Sequence, residues 1–288
     1  PMPENKHQHY LPQFYLKQFS RDNLNRRKED ITVWCYFRNN KQIKRKSIVN
    51  IAQKSYYYSW QNSVGEYDLS IEKVLQKLES AVSPIIKRID GNCKTFLKSS
   101  PNQLLTQPAL ITEREKITLL EFLITMISRV PAIMDKSYNQ LKDFWKDSIG
   151  DDLTNKYDHL IKEASIKASL SIGTFNEYDF LSLFLSRKMY ICYLKSENTS
   201  FITTDNPVVK FRKIGPDGLK YDDTELWLPL SQRCLLMLTG KNDGKVACQK
   251  VVGKQMISGL NRHIASKSKD IIVCRDRELL ESIVKKVF

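Results

Sequence analysis

The sequence contains few glycines, prolines, cysteines and histidines, and it has no long apolar run. Its 288 residues include 10 Gly, 10 Pro, 6 Cys and 4 His, while 41% are hydrophobic. Little Gly and Pro beside this apolar fraction excludes a disordered or collagen-like chain. No run approaches the roughly 18 apolar residues that a membrane helix needs. We therefore expect a globular protein without a membrane partner.

The six cysteines are scattered, at positions 35, 93, 192, 234, 248 and 274, and form no CxxC pair. No Cys–His spacing matches a zinc site, so single reduced thiols are expected. The first twenty residues are polar and aromatic, unlike a secretory signal peptide. Pro1 before Met2 is typical of a cleaved tag. These features together predict a cytoplasmic protein.

Four common catalytic signatures are missing from the chain: GxSxG, the P-loop GxxxxGK[ST], HExxH and GxGxxG. Their absence disfavours the corresponding serine hydrolases, P-loop ATPases, zinc proteases and dinucleotide-dependent dehydrogenases. With four histidines, a dense His/Cys metal cluster is not expected either. Any chemistry must therefore come from residues that are dispersed along the chain.

Basic residues outnumber acidic ones by 46 to 32, which gives a net charge of +14. Such an excess is typical of proteins with a polyanionic partner, most often nucleic acid, and a lysine-rich background composition is the alternative. The densest basic clusters are RDNLNRRK at 21–28 and KQIKRK at 41–46. We predict nucleic-acid contacts at Arg26, Arg27, Lys44, Arg45 and Lys46.

Hydrophobic periodicity predicts an α+β fold in one domain, residues 2–288, with three parts. The N-terminal part, 2–62, contains a β-hairpin and an aromatic cluster, and the helical block spans 63–187. The C-terminal part, 188–288, alternates short strands with helices. We expect the terminal β elements to flank the central helices and to share a mixed or antiparallel sheet.

Two features of the helical block are more specific. Residues 91–111 contain two prolines and several Ser, Asn and Gln, so they are predicted to form a loop. Thr112 and Glu115 have the spacing of a capping box, and an apolar helix is predicted to follow them.

Candidate acid–base residues occur in the first third of the chain. His9 precedes a proline-initiated apolar segment, where it suits general acid–base catalysis or metal binding because its pKa lies near neutrality. A surface or capping histidine is the alternative. Glu72 and Glu79 lie seven residues apart, two turns along one side of a helix. Such a pair binds a divalent metal or supplies an acid and a base, and a solvated rim of salt bridges is the alternative.

Arg129 stands in an otherwise apolar helix, directly before Val-Pro. A buried guanidinium is costly without a carboxylate, a carbonyl or a phosphate beside it. We expect Arg129 to be buried and paired with Glu72, Glu79 or Asp205. A structural ion pair and an anion-binding site are both open.

Asp205 ends the strand-like run FITTDNPVV at 201–209. Catalytic carboxylates often lie at such a position, where a strand gives way to a loop. The alternative is an Asx-turn, in which Asp205 or Asn206 accepts hydrogen bonds from nearby backbone amides.

The chain has HYLPQFYLKQF at 9–19 and FITTDNPV at 201–208. These stretches resemble H-x-x-P-Q-F-Y-L-x-x-F and F-I-T-S-D-N-P-V of a mainly bacterial family that is catalogued as a domain of unknown function, with Thr204 in place of the usual Ser. The resemblance implies no reaction, and it hints at a place beside antiviral or toxin modules. It implies motif positions for His9, Gln13, Glu72, Glu79, Arg129, Asp205 and Asn206.

We hypothesise that the chain termini fold back on the helical block and form one catalytic pocket from His9, Glu79, Arg129 and Asp205. Gln13, Glu72, Asn206 and Asn261 would support this pocket. Glu79 and Asp205 would hold Mg²⁺ or Mn²⁺ or an attacking water, His9 would move the proton and Arg129 would neutralise the phosphorane. The prediction is a nuclease-like effector whose partners are nucleic acid and a second copy or a defence-module protein.

Two alternatives stay open. One is a non-enzymatic nucleic-acid-binding protein, in which a pocket filled by its own salt bridges is structural. The other is an enzyme or sensor for a small phosphorylated ligand such as a nucleotide. A basic groove into the pocket favours the nuclease, and a closed aromatic cavity favours the nucleotide. The aromatic candidates are Tyr56, Tyr57, Tyr58 and Trp60.

Overall fold

The computed structural model describes residues 7–21, 26–61, 65–99, 107–174, 178–196, 198–212, 215, 221–241 and 247–288. In these ranges the helices are α1 Gln13–Lys17, α2 Ser70–Ser99, α3 Glu113–Ser128, α4 Pro131–Ile149, α5 Asp151–Lys156, α6 Asp158–Thr174, α7 Tyr178–Leu185, α8 Lys254–Ser266 and α9 Arg277–Val287. The strands are β1 His7–His9, β2 Thr32–Phe37, β3 Gln42–Ser47, β4 Gln53–Ser55, β5 Gln107–Pro108, β6 Arg187–Leu194, β7 Thr203–Thr204, β8 Val209–Phe211, β9 Glu225–Pro229, β10 Cys234–Lys241, β11 Cys248–Val252 and β12 Ile271–Cys274.

One antiparallel sheet joins the two ends of the chain. Its strand order is β3-β2-β12-β7, so the N-terminal hairpin lies beside two C-terminal strands. Strand β2 alternates partly exposed and buried residues along most of its length, so one of its faces is more buried than the other. The α+β fold, with a helical block flanked by terminal β elements, is confirmed, and so is the shared antiparallel sheet. The division into a single domain stays a prediction.

A second, mixed sheet is formed mainly by the C-terminal part, in the order β5-β11-β6-β10-β9-β8. Strands β11 and β6 are parallel, and the other neighbours are antiparallel. Strand β1 pairs only with β4, opposite Gln53–Ser55. This short ribbon places His9 next to the start of α1.

Both larger sheets are covered on two faces. Val33 and Cys35 of β2 belong to the larger hydrophobic cluster, with residues of α2 and α3, whereas Tyr36 belongs to a smaller cluster with residues of α8 and α9. Because side chains alternate along a strand, neighbouring residues of β2 reach opposite layers. The sheets therefore lie between the central helices and the two C-terminal helices.

The helical block differs from the prediction in the extent of α2 and agrees with it at the capping box. Helix α2 begins at Ser70 and continues to Ser99, through part of the segment predicted as a loop. It continues because Ile89, Cys93 and Phe96 extend its apolar face at steps of four and three, and all three are buried. The capping box of Thr112 and Glu115 is present as predicted, with both reciprocal hydrogen bonds.

Among the described residues, no single helix is long and apolar enough to cross a membrane. Helices α3 and α4 are bent by 55° at their junction, and taken together they have the length and apolar composition of a membrane span. A buried core helix meets the same test of length and composition.

Candidate functional site

Pro12 precedes α1 and determines how the N-terminal motif packs. Its fixed φ suits a helix start, and α1 follows at once, with Tyr15 and Leu16 fully buried. The Tyr15 hydroxyl donates to the Pro229 carbonyl oxygen at 2.8 Å and lies 2.8 Å from the Thr203 hydroxyl. The two sequence motifs are therefore in contact, through Tyr15 and Thr203.

Arg129 is the central residue of the motif cluster. It ends α3 and is 2% exposed. Its Nη1 donates to Glu79 Oε1 at 2.7 Å, and its Nη2 donates to the His9 carbonyl oxygen at 2.6 Å. The Tyr58 hydroxyl accepts a hydrogen bond from Arg129 Nε at 3.4 Å and donates one to the Arg129 carbonyl oxygen at 2.7 Å. The expected burial and acidic pairing of Arg129 are confirmed, and every contact here is with the protein itself.

The two glutamates of α2 are both close to Arg129. Glu79 forms the ion pair and keeps 23% of its side chain exposed. Burial raises the pKa of Glu72, the nearby Arg129 charge lowers it, and the Glu79 charge raises it again. Glu72 Oε1 accepts from Gln76, and its buried Oε2 has no hydrogen-bond partner among the described residues. The pair of carboxylates therefore shares one cation.

His9 is a neutral histidine in this setting. Burial lowers its pKa to about 4, the hydrogen bond with Val49 opposes this shift, and the Arg129 charge adds to it. Its Nε2 lies 3.3 Å from the Val49 carbonyl oxygen and 3.4 Å from the Gln13 side-chain nitrogen. A neutral imidazole next to a carbonyl donates its proton to that oxygen, so this nitrogen is occupied as a donor.

Asp205 is 1% exposed and is held by a distant segment of the backbone. Its Oδ1 accepts from the amide of Lys269, and its Oδ2 accepts from the amides of Asp270 and Ile271. Burial raises the pKa of Asp205 to about 6, although the amide hydrogen bonds oppose this shift. The carboxylate thus fixes the loop before β12. The Asx-turn alternative expects nearby amides, whereas these three amides are more than sixty residues away in sequence.

The other C-terminal candidates also bind backbone groups. The Thr204 hydroxyl accepts from the Asn206 amide, and the Asn206 side chain donates to the Lys267 carbonyl oxygen at 3.4 Å. Asn261 is buried and joins α8 to the segment before β7, since it accepts from Ile202 and donates to Ser200. These contacts attach the FITTDNP segment to α8 and to Lys267, the residue that follows this helix.

The structure brings part of the predicted pocket together. His9, Gln13, Glu72, Glu79 and Arg129 form one cluster around the Arg129 guanidinium. Burial raises the pKa of the Tyr10 phenol, and the Asp205 charge raises it further. The catalytic roles of these residues stay predictions.

Metal binding by Glu79 and Asp205 also stays a prediction. Glu79 uses one oxygen for Arg129, and Asp205 uses both for amides. Within the described ranges, no group of three or more His, Cys, Asp or Glu residues is arranged to hold a metal ion. The described donor set therefore does not fit Mg²⁺ or Mn²⁺, which prefer several oxygen ligands.

The predicted basic residues lie on the N-terminal surface. All five are exposed: Arg26, Arg27, Lys44, Arg45 and Lys46. The last three alternate along β3, an edge strand of the shared sheet. The short 3-10 helix Lys28–Asp30, which follows Arg26 and Arg27, packs against β3. The two basic clusters of the sequence are therefore neighbours in space.

The aromatic cluster is internal packing. Tyr58 and Trp60 are buried, and Tyr56 stacks on Tyr67 with ring centroids 3.7 Å apart. Tyr57 donates to Asp135, which also binds Lys54 and Lys269.

Sequence reasoning missed the Asp135 ion-pair cluster and the role of Tyr15. The Asp135 partners come from three distant segments, β4, the aromatic turn and the loop before β12, and no local pattern links them. Tyr15 belongs to the recognised motif, so its position was visible, but its hydroxyl partners were not.

A family model described as "Protein of unknown function (DUF4238)" matches residues 7–278. No curated protein and no solved structure matches the chain. The matched range contains the whole Arg129 cluster, Asp205 and the basic surface, and the expected membership in a family of unknown function is confirmed. The chain therefore belongs to the DUF4238 family of proteins of unknown function.

Proposed function

We propose that this protein binds nucleic acid through the basic N-terminal surface without cleaving it. The observation that carries the proposal is the exposed edge strand β3 with Lys44, Arg45 and Lys46 in succession, next to the segment that contains Arg26 and Arg27. Three cations on the edge strand and two in the neighbouring segment form a basic surface, although Arg27 also pairs with Asp30 at 3.2 Å. The net charge of +14 favours a polyanionic partner.

The edge position is important for this role. Among the described residues, β3 has a neighbouring strand on one side only, so its other edge is open. Side chains alternate between the two faces of the sheet, so Lys44 and Lys46 lie on one face and Arg45 on the other. A backbone that follows the edge can contact all three. Lysines on an edge strand also oppose pairing with another sheet, which is the competing explanation for them.

The motif cluster supports binding over cleavage. Arg129 directs its guanidinium to Glu79, Tyr58 and the His9 carbonyl, and Asp205 accepts three amide hydrogen bonds. A residue that acts on a phosphate must exchange these contacts for new ones, and each lost contact in a buried site costs about 1–3 kcal/mol. The contacts of Arg129 and Asp205 are what the non-enzymatic alternative predicts, while Glu72 Oε2 is buried without a hydrogen-bond partner among the described residues.

The test is a salt titration of binding. The affinity for a labelled duplex is measured by fluorescence anisotropy between about 50 and 200 mM salt, a range over which phosphate contacts weaken strongly. A variant with Lys44→Gln, Arg45→Gln and Lys46→Gln should bind more weakly and reduce the slope of log K against log salt by about three. The same reactions, with and without Mg²⁺ or Mn²⁺, should leave the nucleic acid intact.

The matched control changes three exposed lysines of α2, as Lys73→Gln, Lys77→Gln and Lys87→Gln. It removes the same charge from another surface, so its slope should remain near that of the wild type. Equal slopes for both triple variants would mean that net charge alone attracts the ligand. If the wild type cleaves the nucleic acid and His9→Gln abolishes the cleavage, the nuclease hypothesis is supported and the proposal of binding without cleavage is wrong.

A further inference from the structure

The chain has six free cysteines, and the alternation of side chains along the strands keeps most of them apart. Cys35 and Cys274 lie on neighbouring strands, and so do Cys192 and Cys234. In each pair one residue belongs to the larger hydrophobic cluster and the other to the smaller one. The two thiols of each pair therefore point to opposite faces of their sheet and cannot bond to each other.

Cys93 and Cys234 are the two cysteines that the fold brings together. Cys93 lies on α2, one turn after Asp90, and Cys234 is the first residue of β10. Asp90 joins the two elements, because its Oδ1 accepts from the Ser231 hydroxyl at 2.6 Å and its Oδ2 pairs with Arg233. The Cys234 sulfur lies 3.9 Å from Asp90 Oδ1. Residues three apart on a helix are neighbours, so Cys93 lies beside the same sulfur, and the two thiols are hydrogen-bonded.

The two thiols lie just below the surface. Cys93 is 1% exposed and Cys234 is fully buried, and both belong to the larger hydrophobic cluster. The neighbouring ion pair is closer to solvent, since 15% of the Asp90 side chain and 34% of the Arg233 side chain are exposed. Ion pairs with such exposure open at little cost. The thiols are therefore separated by one polar layer from a molecule as small as hydrogen peroxide.

Cys93 has the properties of an attacking thiol. The hydrogen bond from the Cys234 thiol lowers the pKa of Cys93, burial opposes this shift, and the Arg233 charge lowers the pKa further. Burial raises the pKa of Cys234, so that sulfur keeps its proton. The thiolate is the nucleophile in thiol oxidation, and a second cysteine beside it converts the oxidised sulfur into a disulfide. The pair thus contains one thiol of each kind.

We infer that Cys93 and Cys234 form a reversible disulfide when the protein meets a peroxide. The Cys93 thiolate first attacks one oxygen of hydrogen peroxide, so that an S–O bond forms and the O–O bond breaks. The leaving hydroxide takes up the proton that Cys93 released and becomes water. The Cys234 sulfur then attacks the Cys93 sulfenic acid: the S–S bond forms, the S–O bond breaks, and the hydroxide leaves as water with the Cys234 proton. Two thiols supply two electrons, and one peroxide becomes two waters.

The disulfide joins α2 to β10, and so attaches the helical block to the mixed sheet. It closes the long loop between positions 93 and 234, and a cross-link over a long loop restricts the unfolded chain strongly. We therefore expect the oxidised protein to melt at a higher temperature than the reduced protein. The inference goes beyond the proposed function and does not depend on it, because neither cysteine belongs to the basic surface.

The experiment is peptide mapping of the folded wild type before and after oxidation. Reduced protein is treated with hydrogen peroxide at neutral pH, the remaining thiols are alkylated in denaturant, and the chain is cut with trypsin. Trypsin releases Cys93 in residues 89–94 and Cys234 in residues 234–241. We expect mass spectrometry to find these two peptides joined, and dithiothreitol to separate them. The three other buried cysteines should remain alkylated.

Three variants complete the test. Oxidation of the wild type should raise the melting temperature by roughly 5–15 °C, and Cys234→Ser should abolish both this rise and the joined peptide. Cys192→Ser, at a buried cysteine of the neighbouring strand, is the matched control and should keep both. Arg233→Gln should slow the oxidation several-fold, because it removes a charge that favours the Cys93 thiolate.

Two results would overturn the inference. One is a folded wild type in which the two peptides stay separate after peroxide treatment, whether Cys93 is recovered alkylated or as a sulfinic acid. The other is a joined peptide that forms only after the protein has been unfolded in urea, since the structure then does not bring the two thiols together.

Discussion

Replacing Arg129 by Met tests whether the motif cluster is held by one buried cation. The substitution keeps much of the side-chain length but removes the charge and three hydrogen bonds, to Glu79, Tyr58 and the His9 carbonyl. Breaking a buried ion pair by removing one partner costs about 3–5 kcal/mol. We expect a loss of that size, which is a large fraction of the roughly 5–15 kcal/mol by which a typical protein is stable.

The asymmetry of the pair gives the prediction a second, sharper form. After Arg129→Met, Glu72 and Glu79 face each other without a cation, so removing one carboxylate as well should relieve the variant. The double variant Arg129→Met with Glu79→Gln should therefore be less destabilised than the sum of the two single variants, by about 0.5–3 kcal/mol, the range for residues in contact. Urea unfolding followed by circular dichroism measures all four proteins.

The pH dependence has a definite sign. The Arg129 charge lowers the pKa of Glu72, so removing this cation leaves burial and the Glu79 charge to raise it. When folding raises the pKa of an acidic side chain, the protein loses stability as the pH rises above the pKa of that side chain in the unfolded chain, which is about 4.3 for Glu. The deficit of Arg129→Met should then be larger at pH 7 than near pH 4. A loss below about 1 kcal/mol, or strict additivity in the cycle, would refute a buried cation that organises this cluster.

Two further substitutions test the C-terminal framework. Asp205→Asn places an amide NH₂ against backbone N–H groups, so it should lower the free energy of unfolding in urea by about 1–3 kcal/mol. Burial raises the pKa of Asp205 to about 6, so the wild type should lose stability as the pH rises from about 4 to 6. The variant has no carboxyl group at this position and should not show this pH dependence. Unchanged stability with lost activity would instead indicate catalysis. Asn261→Ala leaves the Ile202 amide and the Ser200 carbonyl without partners and should lower the melting temperature, whereas Asn139→Ala on the exposed side of α4 should not. Equal melting temperatures would contradict the bridging role of Asn261.

Local patterns predicted most of the elements, because strand and helix periods are written in short windows. The hairpin predicted in the N-terminal part is formed by β2 and β3, and the capping box at Thr112 marked the start of α3. The end of α2 was missed since Ser, Asn and Pro were given more weight than Ile89, Cys93 and Phe96. The composition of residues 91–111 indicated a loop, but the spacing of the apolar residues made its first part a helix.

The partners of the candidate residues could not be predicted in the same way. Asp205 binds amides more than sixty residues further along the chain, and Arg129 binds the His9 carbonyl across 120 residues. A motif shows that a polar residue is present, and only the fold shows whether its hydrogen bonds are already used. Arg129 could be expected to have a carboxylate, because a buried guanidinium demands one, and this demand is the type of physical constraint that a sequence does reveal.

The two motifs hold the elements that lead to Arg21 and Arg275. Tyr15 attaches α1 to Thr203 and to the Pro229 carbonyl, and α1 ends just before Arg21. Asp205 fixes the amides that open β12, and β12 ends just before Arg275. The buried motif residues Tyr15 and Asp205 therefore position the segments that carry Arg21 and Arg275, although neither contacts these arginines in the hydrogen bonds described above.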